Sequence, residues 1–115
     1  MILPSRYVEL RNSCGICLDQ INVGSDEVAF PTGVALEALG LLKETSIAVL
    51  GGDVLRFVDD NLEYAYANSY CKILEEEESK SYAQRSRHEA VAYVEKFVGV
   101  GGFEPLFVFV LSQTA

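Results

Sequence analysis

Residues 47–73 read IAVLGGDVLRFVDDNLEYAYANSYCKI. Ile47-Ala48-Val49-Leu50 is a short, continuous apolar run, the pattern of a buried strand. Gly51-Gly52-Asp53 follows, and paired glycines permit a bulge or a sharp bend because they carry no Cβ. Asp53 is placed to cap backbone N–H groups at that bend. Val54 to Val58 resumes as a second strand, Asp59-Asp60-Asn61 is a turn, and residues 54–58 and 62–73 therefore predict a β-hairpin. Side chains along 62–73 alternate between two faces. Tyr64, Tyr66, Asn68, Tyr70 and Lys72 share one, a tyrosine-rich polar stripe suited to an exposed or interface surface. Ala65, Ala67, Ser69, Cys71 and Ile73 share the other, small enough for a helix to pack closely on it.

Two helical patterns flank this hairpin. Over 33–45, Ala35, Leu36, Leu39 and Leu42 lie on one stripe, with Thr32 as the N-cap. Gly40 weakens this helix by about 1 kcal/mol relative to Ala. Over 80–98, Ala90, Val91, Val94, Phe97 and Val98 form a stripe. Ser81 with Gln84, and Ser86 with Glu89, are capping-box patterns. Gly99, Gly101 and Gly102 end it, and Leu106 to Leu111 is a last strand, apolar on both faces and so central. Upstream, Tyr7-Val8-Glu9-Leu10 reads as a short strand, Asn22 to Asp26 as a turn cluster, and Pro31 as punctuation. The economical assembly is one α+β domain over residues 1–115: a mostly antiparallel sheet of four to five strands with two helices packed on one face.

The chain has 115 residues, half of them hydrophobic, with six Tyr, six Phe and no Trp, a composition that can bury a core without staples. Seventeen acidic residues against nine basic ones give a net charge of −8. That imbalance excludes nucleic acid and anionic membrane as direct partners, since both need Lys and Arg. It favours capture of a basic protein. Met1 to Arg6 lacks a basic stretch leading into a long apolar run, and the longest apolar block, Leu106 to Leu111, is too short to span a bilayer. Three cysteines make no disulfide framework and fit a reducing compartment, so the expected location is the cytoplasm.

Few residues suggest chemistry. Cys14-Gly15-Ile16-Cys17 has the spacing of a redox or zinc pair, but only Cys71 and His88 remain as further ligands, and no second pair exists. His88, the sole histidine, has no nucleophile paired to it. A lone GGD at Gly51-Gly52-Asp53 lacks the flanking residues of a nucleotide-cyclase signature and reads as a structural bulge. These features predict no catalytic residue, no metal and no cofactor. The acidic Asp59, Asp60, Glu63 and Glu75-Glu76-Glu77-Glu78 read either as solvated surface or as one negative rim around the strand bearing Tyr64, Tyr66 and Tyr70. Tyrosine supplies large, rigid contact area and is enriched at interface hot spots. An acidic rim around such a patch is a receptor for a basic protein.

The chain also resembles the immunity protein 40 family of bacterial polymorphic toxin systems. The resemblance runs through Ala29-Phe30, Ala35 to Leu39, Ile47 to Val54, Tyr70-Cys71, and Ser86 with Ala90 to Val94, and covers about 28–98. The chain departs from the pattern at Ser69, where the family often carries Trp. The resemblance implies a protein that binds and neutralises a cognate toxin domain, with no active site of its own. A basic nuclease toxin is compatible with the charge. The competing readings are a generic acidic interaction or regulatory domain, monomeric or a weak homodimer through the tyrosine strand, and an enzyme or metal protein using Cys14, Cys17, Cys71 and His88.

Overall fold

The computed structural model describes residues 1–19, 21, 24, 27–97 and 103–113. Among them the elements run α1 (Ser5–Cys14), β1 (Ile16–Cys17), β2 (Val28–Pro31), α2 (Thr32–Leu41), β3 (Ile47–Val58), β4 (Asn61–Tyr70), α3 (Ser79–Lys96) and β5 (Leu106–Gln113). The five strands form one antiparallel sheet in the order β1-β2-β5-β3-β4. The α+β class is as expected, with three helices rather than two.

The extra helix replaces the strand expected at Tyr7 to Leu10. Pro4 caps α1, and its carbonyl accepts the N–H groups of Tyr7 and Val8. Leu3, Tyr7 and Leu10 recur at helical spacing and pack on the core, where Tyr7 meets Phe30 edge to face at 6.1 Å. A four-residue window holds one helical turn, too short to separate the two periods. α2 stops at Leu41 rather than at residue 45, with Pro31 as its N-cap and Thr32 as its first residue. The turn cluster at 22–26 lies largely outside the described residues, as do Val98, Gly99, Gly101 and Gly102.

The strands expected at 47–50 and 54–58 are one strand, β3, between β5 and β4. Its register with β5 slips between Val49 and Gly51, so Leu50 is a bulge residue. The glycines that follow answer close approach on both sides. A Cβ on Gly51 would sit 2.2 Å from the Ser69 carbonyl oxygen, and one on Gly52 would sit 2.0 Å from that of Val108. Asp53 is a ladder residue between Asn68 of β4 and Val108 of β5.

All three helices cover one face of the sheet, around Phe30, Leu39, Val49, Val54, Val94 and Phe107. The opposite face holds a smaller cluster of Ala29, Leu55, Leu62, Leu106 and Val108, closed by Leu18 with Ile16 and Ile21. Fully burying a Leu, Val or Phe side chain contributes about 1.5–3 kcal/mol. The helix-side cluster therefore dominates stability.

Candidate partner-binding surface

The seam between β3 and α3 holds the surrounding structure in place. β4 pairs with β3 only from Gly51 onward, so Ile47 to Leu50 have an edge that no strand covers. Helix α3 covers it with side chains. Ser86 Oγ accepts the Val49 N–H at 2.9 Å and donates to the Ala83 carbonyl at 2.8 Å. Arg87 Nη1 donates to the carbonyls of Ile47 (3.1 Å) and Thr45 (3.2 Å). The Cys71 N–H donates to the Leu50 carbonyl at 2.8 Å. Ser86 and Arg87 are both buried, and burial lowers the Arg87 pKa. The capping role expected of Ser86 and of Ser81 is corrected here: α3 begins at Ser79, and Ser86 bonds across to β3 from mid-helix.

A second network ties the β4–α3 connection to α3. Arg85 forks onto Glu77, with both bonds at 2.8 Å, and also reaches Glu89 at 2.9 Å and the Lys72 carbonyl at 2.7 Å. Glu77 Oε1 also accepts the Leu74 N–H. The guanidinium and that N–H hold the Glu77 carboxyl down to about 2. The Cys71 thiol donates to Glu89 Oε2 at 2.6 Å, and burial together with this neighbour pushes its pKa up to about 11. Such a thiol is a poor nucleophile. Cys14 and Cys17 are exposed, as is His88. Among the described residues no three His, Cys, Asp or Glu side chains come together to hold a metal.

The other side of the sheet presents the tyrosines. Cross-strand partners share a face. Tyr64 stands opposite Leu55, and Tyr70, Gly51 and Val110 form one rung across three strands. Tyr64 is 42 % and Tyr70 78 % exposed. Tyr66 belongs to β4, but its side chain lies outside the described residues. Phe57 (52 % exposed, opposite Leu62) and Val110 (44 %) complete the patch. Neither was singled out from the sequence. The signal that finds them is the period of two counted on from Leu55 and Val108. On the opposite face of β4, Ala65 and Ala67 pack toward the helices as expected. The strand ends at Tyr70, so Lys72 and Ile73 leave it, and Ile73 is exposed rather than covered.

The carboxylates fall into two groups at opposite ends of β4, roughly 30 Å apart for ten residues. Asp59 and Asp60 form the hairpin tip, with φ of 50° and 67°, the left-handed backbone that a two-residue turn requires and Asp tolerates. Glu63 lies near Arg56 at 3.9 Å, on the helix side. Glu75, Glu76 and Glu78 are exposed at the other end, while Glu77 is engaged by Arg85. A groove of about 600 Å³ between α2 and α3 has Leu36, Leu39 and Val91 on its walls and Lys43, Lys80 and His88 at its rim. Glu44 and Glu95 line it too, so its charge is mixed. No helix among the described residues is long and apolar enough to cross a membrane.

The family model described as immunity protein 40 matches residues 17–111, from β1 into β5. The chain belongs to the immunity protein 40 family. No curated protein and no solved structure matches it. Helix α1 lies outside the family match. Several residues that carry the family resemblance meet at the β3–α3 seam: Val49 with Ser86, Leu50 with Cys71, and Ala90 and Val94 in the adjoining core. They build the scaffold. Tyr70 is the one that stands out on the open face.

Proposed function

We propose that the chain is an immunity protein that binds the toxin domain of a polymorphic toxin system in the cytoplasm and blocks it by covering its surface, without chemistry of its own. The observation that carries this reading is the exposed patch of Phe57, Tyr64, Tyr70 and Val110, with exposed carboxylates at both ends of β4, in a member of the immunity protein 40 family. The net charge of −8 steers a basic toxin toward this side, a nuclease being the chemistry it suits best, and the aromatic contacts slow its release. The binding residues are Tyr64, Tyr66 and Tyr70, with Asp59, Asp60, Glu63 and the Glu75 to Glu78 segment shaping the field around them.

The test is neutralisation on co-expression with the C-terminal domain encoded by the gene immediately upstream. Replacing Tyr64, Tyr66 and Tyr70 with Ala is expected to weaken binding at least a hundredfold, chiefly through faster dissociation. Replacing Glu75, Glu76 and Glu78 with Gln is expected to slow association a few-fold and to flatten its salt dependence, with Glu77 left in place because it holds Arg85. A folded triple-tyrosine variant that still neutralises fully removes the assignment of this face.

A further inference from the structure

Arg87 is a charge taken largely out of water without a counter-ion. It is only 8 % exposed. Its Nη1 donates to the carbonyls of Ile47 and Thr45, and both of those acceptors are neutral. Among the described residues the ion pairs are Arg56 with Glu63, and Arg85 with Glu77 and Glu89, so no carboxylate meets Arg87. A buried cation is normally paired. Nε and Nη2 take no acceptor among the described residues. Neither is sealed in the interior, since the buried side-chain nitrogen left without a partner there is Arg56 Nε. That edge of the Arg87 guanidinium therefore still reaches solvent. Arg87 stands on the wall of the groove between α2 and α3, on the helix side of the sheet and away from Tyr64 and Tyr70.

We propose that this groove binds a small organic acid with one carboxylate and an apolar body, the carboxylate seated on the Nε–Nη2 edge of Arg87 and the body lying along Leu36, Leu39 and Val91. The site lies apart from the toxin-binding face and does not depend on the function proposed above. A groove of about 600 Å³ has the size of a small-molecule site. The Nε–Nη2 edge offers two parallel N–H donors, which match the two oxygens of a carboxylate. Leu39 is buried beside it, and Leu36 and Val91 pack partly buried on the same core, so the walls reward an apolar body and give a polar one nothing to bond. Charge limits the ligand to a monoanion. Lys43, Lys80 and Arg87 exceed Glu44 and Glu95 by a single charge, in a chain whose net charge is −8. A carboxylate balances that excess. A phosphate monoester, with a charge of about −1.5 to −2, overshoots it and meets the two glutamates.

Titration calorimetry and NMR on the full chain test this. Sodium octanoate is the probe, 1-octanol its neutral counterpart, and inorganic phosphate an anion without an apolar body. The expected result is octanoate binding at a single site, at least tenfold tighter than octanol, and no binding of phosphate. The Arg87 Nε–H resonance is expected to shift with octanoate and to stay in place with octanol. Gly40 lines the groove, and a Cβ there would meet nothing within 4 Å. Gly40→Leu therefore fills the groove without pressing on the fold, and Leu suits a helix better than Gly. It is expected to weaken octanoate binding at least tenfold, with a Tm at or above that of the wild type. Octanoate that does not bind, that binds no tighter than octanol, or that binds Gly40→Leu as well as the wild type overturns the inference. Phosphate that displaces octanoate also overturns it, because the groove is then a simple anion site. Each of these outcomes leaves toxin neutralisation, which is read on the opposite face, as it stands.

Discussion

Two regions on the β3–β4 side of the sheet are built in opposite ways. At Ile47 to Leu50 the edge is closed: Arg87, Ser86 and the Cys71 N–H meet the backbone groups of Ile47, Val49 and Leu50 one after another. Beside β4, the last strand of the sheet, Tyr64 and Tyr70 stand exposed instead. Buried, an unpaired N–H or C=O costs about 1–3 kcal/mol. The closed edge lies under a helix and must be satisfied internally. The tyrosine face lies in solvent, where its side chains can be covered by another chain.

The closed side should be the more sensitive. The largest effect is expected for Gly52→Val, which drives a side chain into the Val108 carbonyl of the adjacent strand. A loss of about 3 kcal/mol or more in urea unfolding is expected, enough to leave the chain largely unfolded at 37 °C. Ser86→Ala and Arg87→Met come next, each at about 2 kcal/mol, because they strand the Val49 N–H or the carbonyls of Ile47 and Thr45 in the interior. A near-zero change in either would mean that the helix does not close this edge.

The connection between the two regions should respond to acid. Glu77 has a folded-state pKa lowered to about 2 from an ordinary 4.5, so its stabilising effect is complete above 4.5 and is lost as pH falls toward 2. The Tm difference between the wild type and Glu77→Gln should therefore be constant at neutral pH and shrink through that window. A difference that stays level down to pH 2 would disconnect Glu77 from the clamp. The smallest effect belongs to the open side. Tyr70→Ala, at a largely exposed position, should change stability by less than about 0.5 kcal/mol while weakening partner binding. A large loss of stability there would make Tyr70 part of the fold.

Much of the fold was legible along the chain, for identifiable reasons. The stripe of Ala90, Val91 and Val94 has the helical period, and α3 is there. The apolar run from Leu106 is a strand between two others. Gly51-Gly52 marks a bulge, and Asp59-Asp60 a tight turn. Helix α1 was not legible because its apolar side chains are sparse and a window of four residues fits either period. The candidate surface was half legible. Alternation alone placed Tyr64 and Tyr70 on one face, since a strand's period of two needs no partner to define it.

The sequence by itself determined most of the elements after α1, the charge and the family, since each depends on local order or on the sum of the residues. Only the tertiary structure decided which polar residues are structural. Ser86 read as a helix cap and Arg87 was not singled out, yet both lie buried against β3, some forty positions away in the chain. Glu77 and Glu76 are neighbours of one chemical type, and one is held by Arg85 while the other is exposed. Pairings over that separation are set by how the sheet and helices pack, and no short-range pattern encodes them.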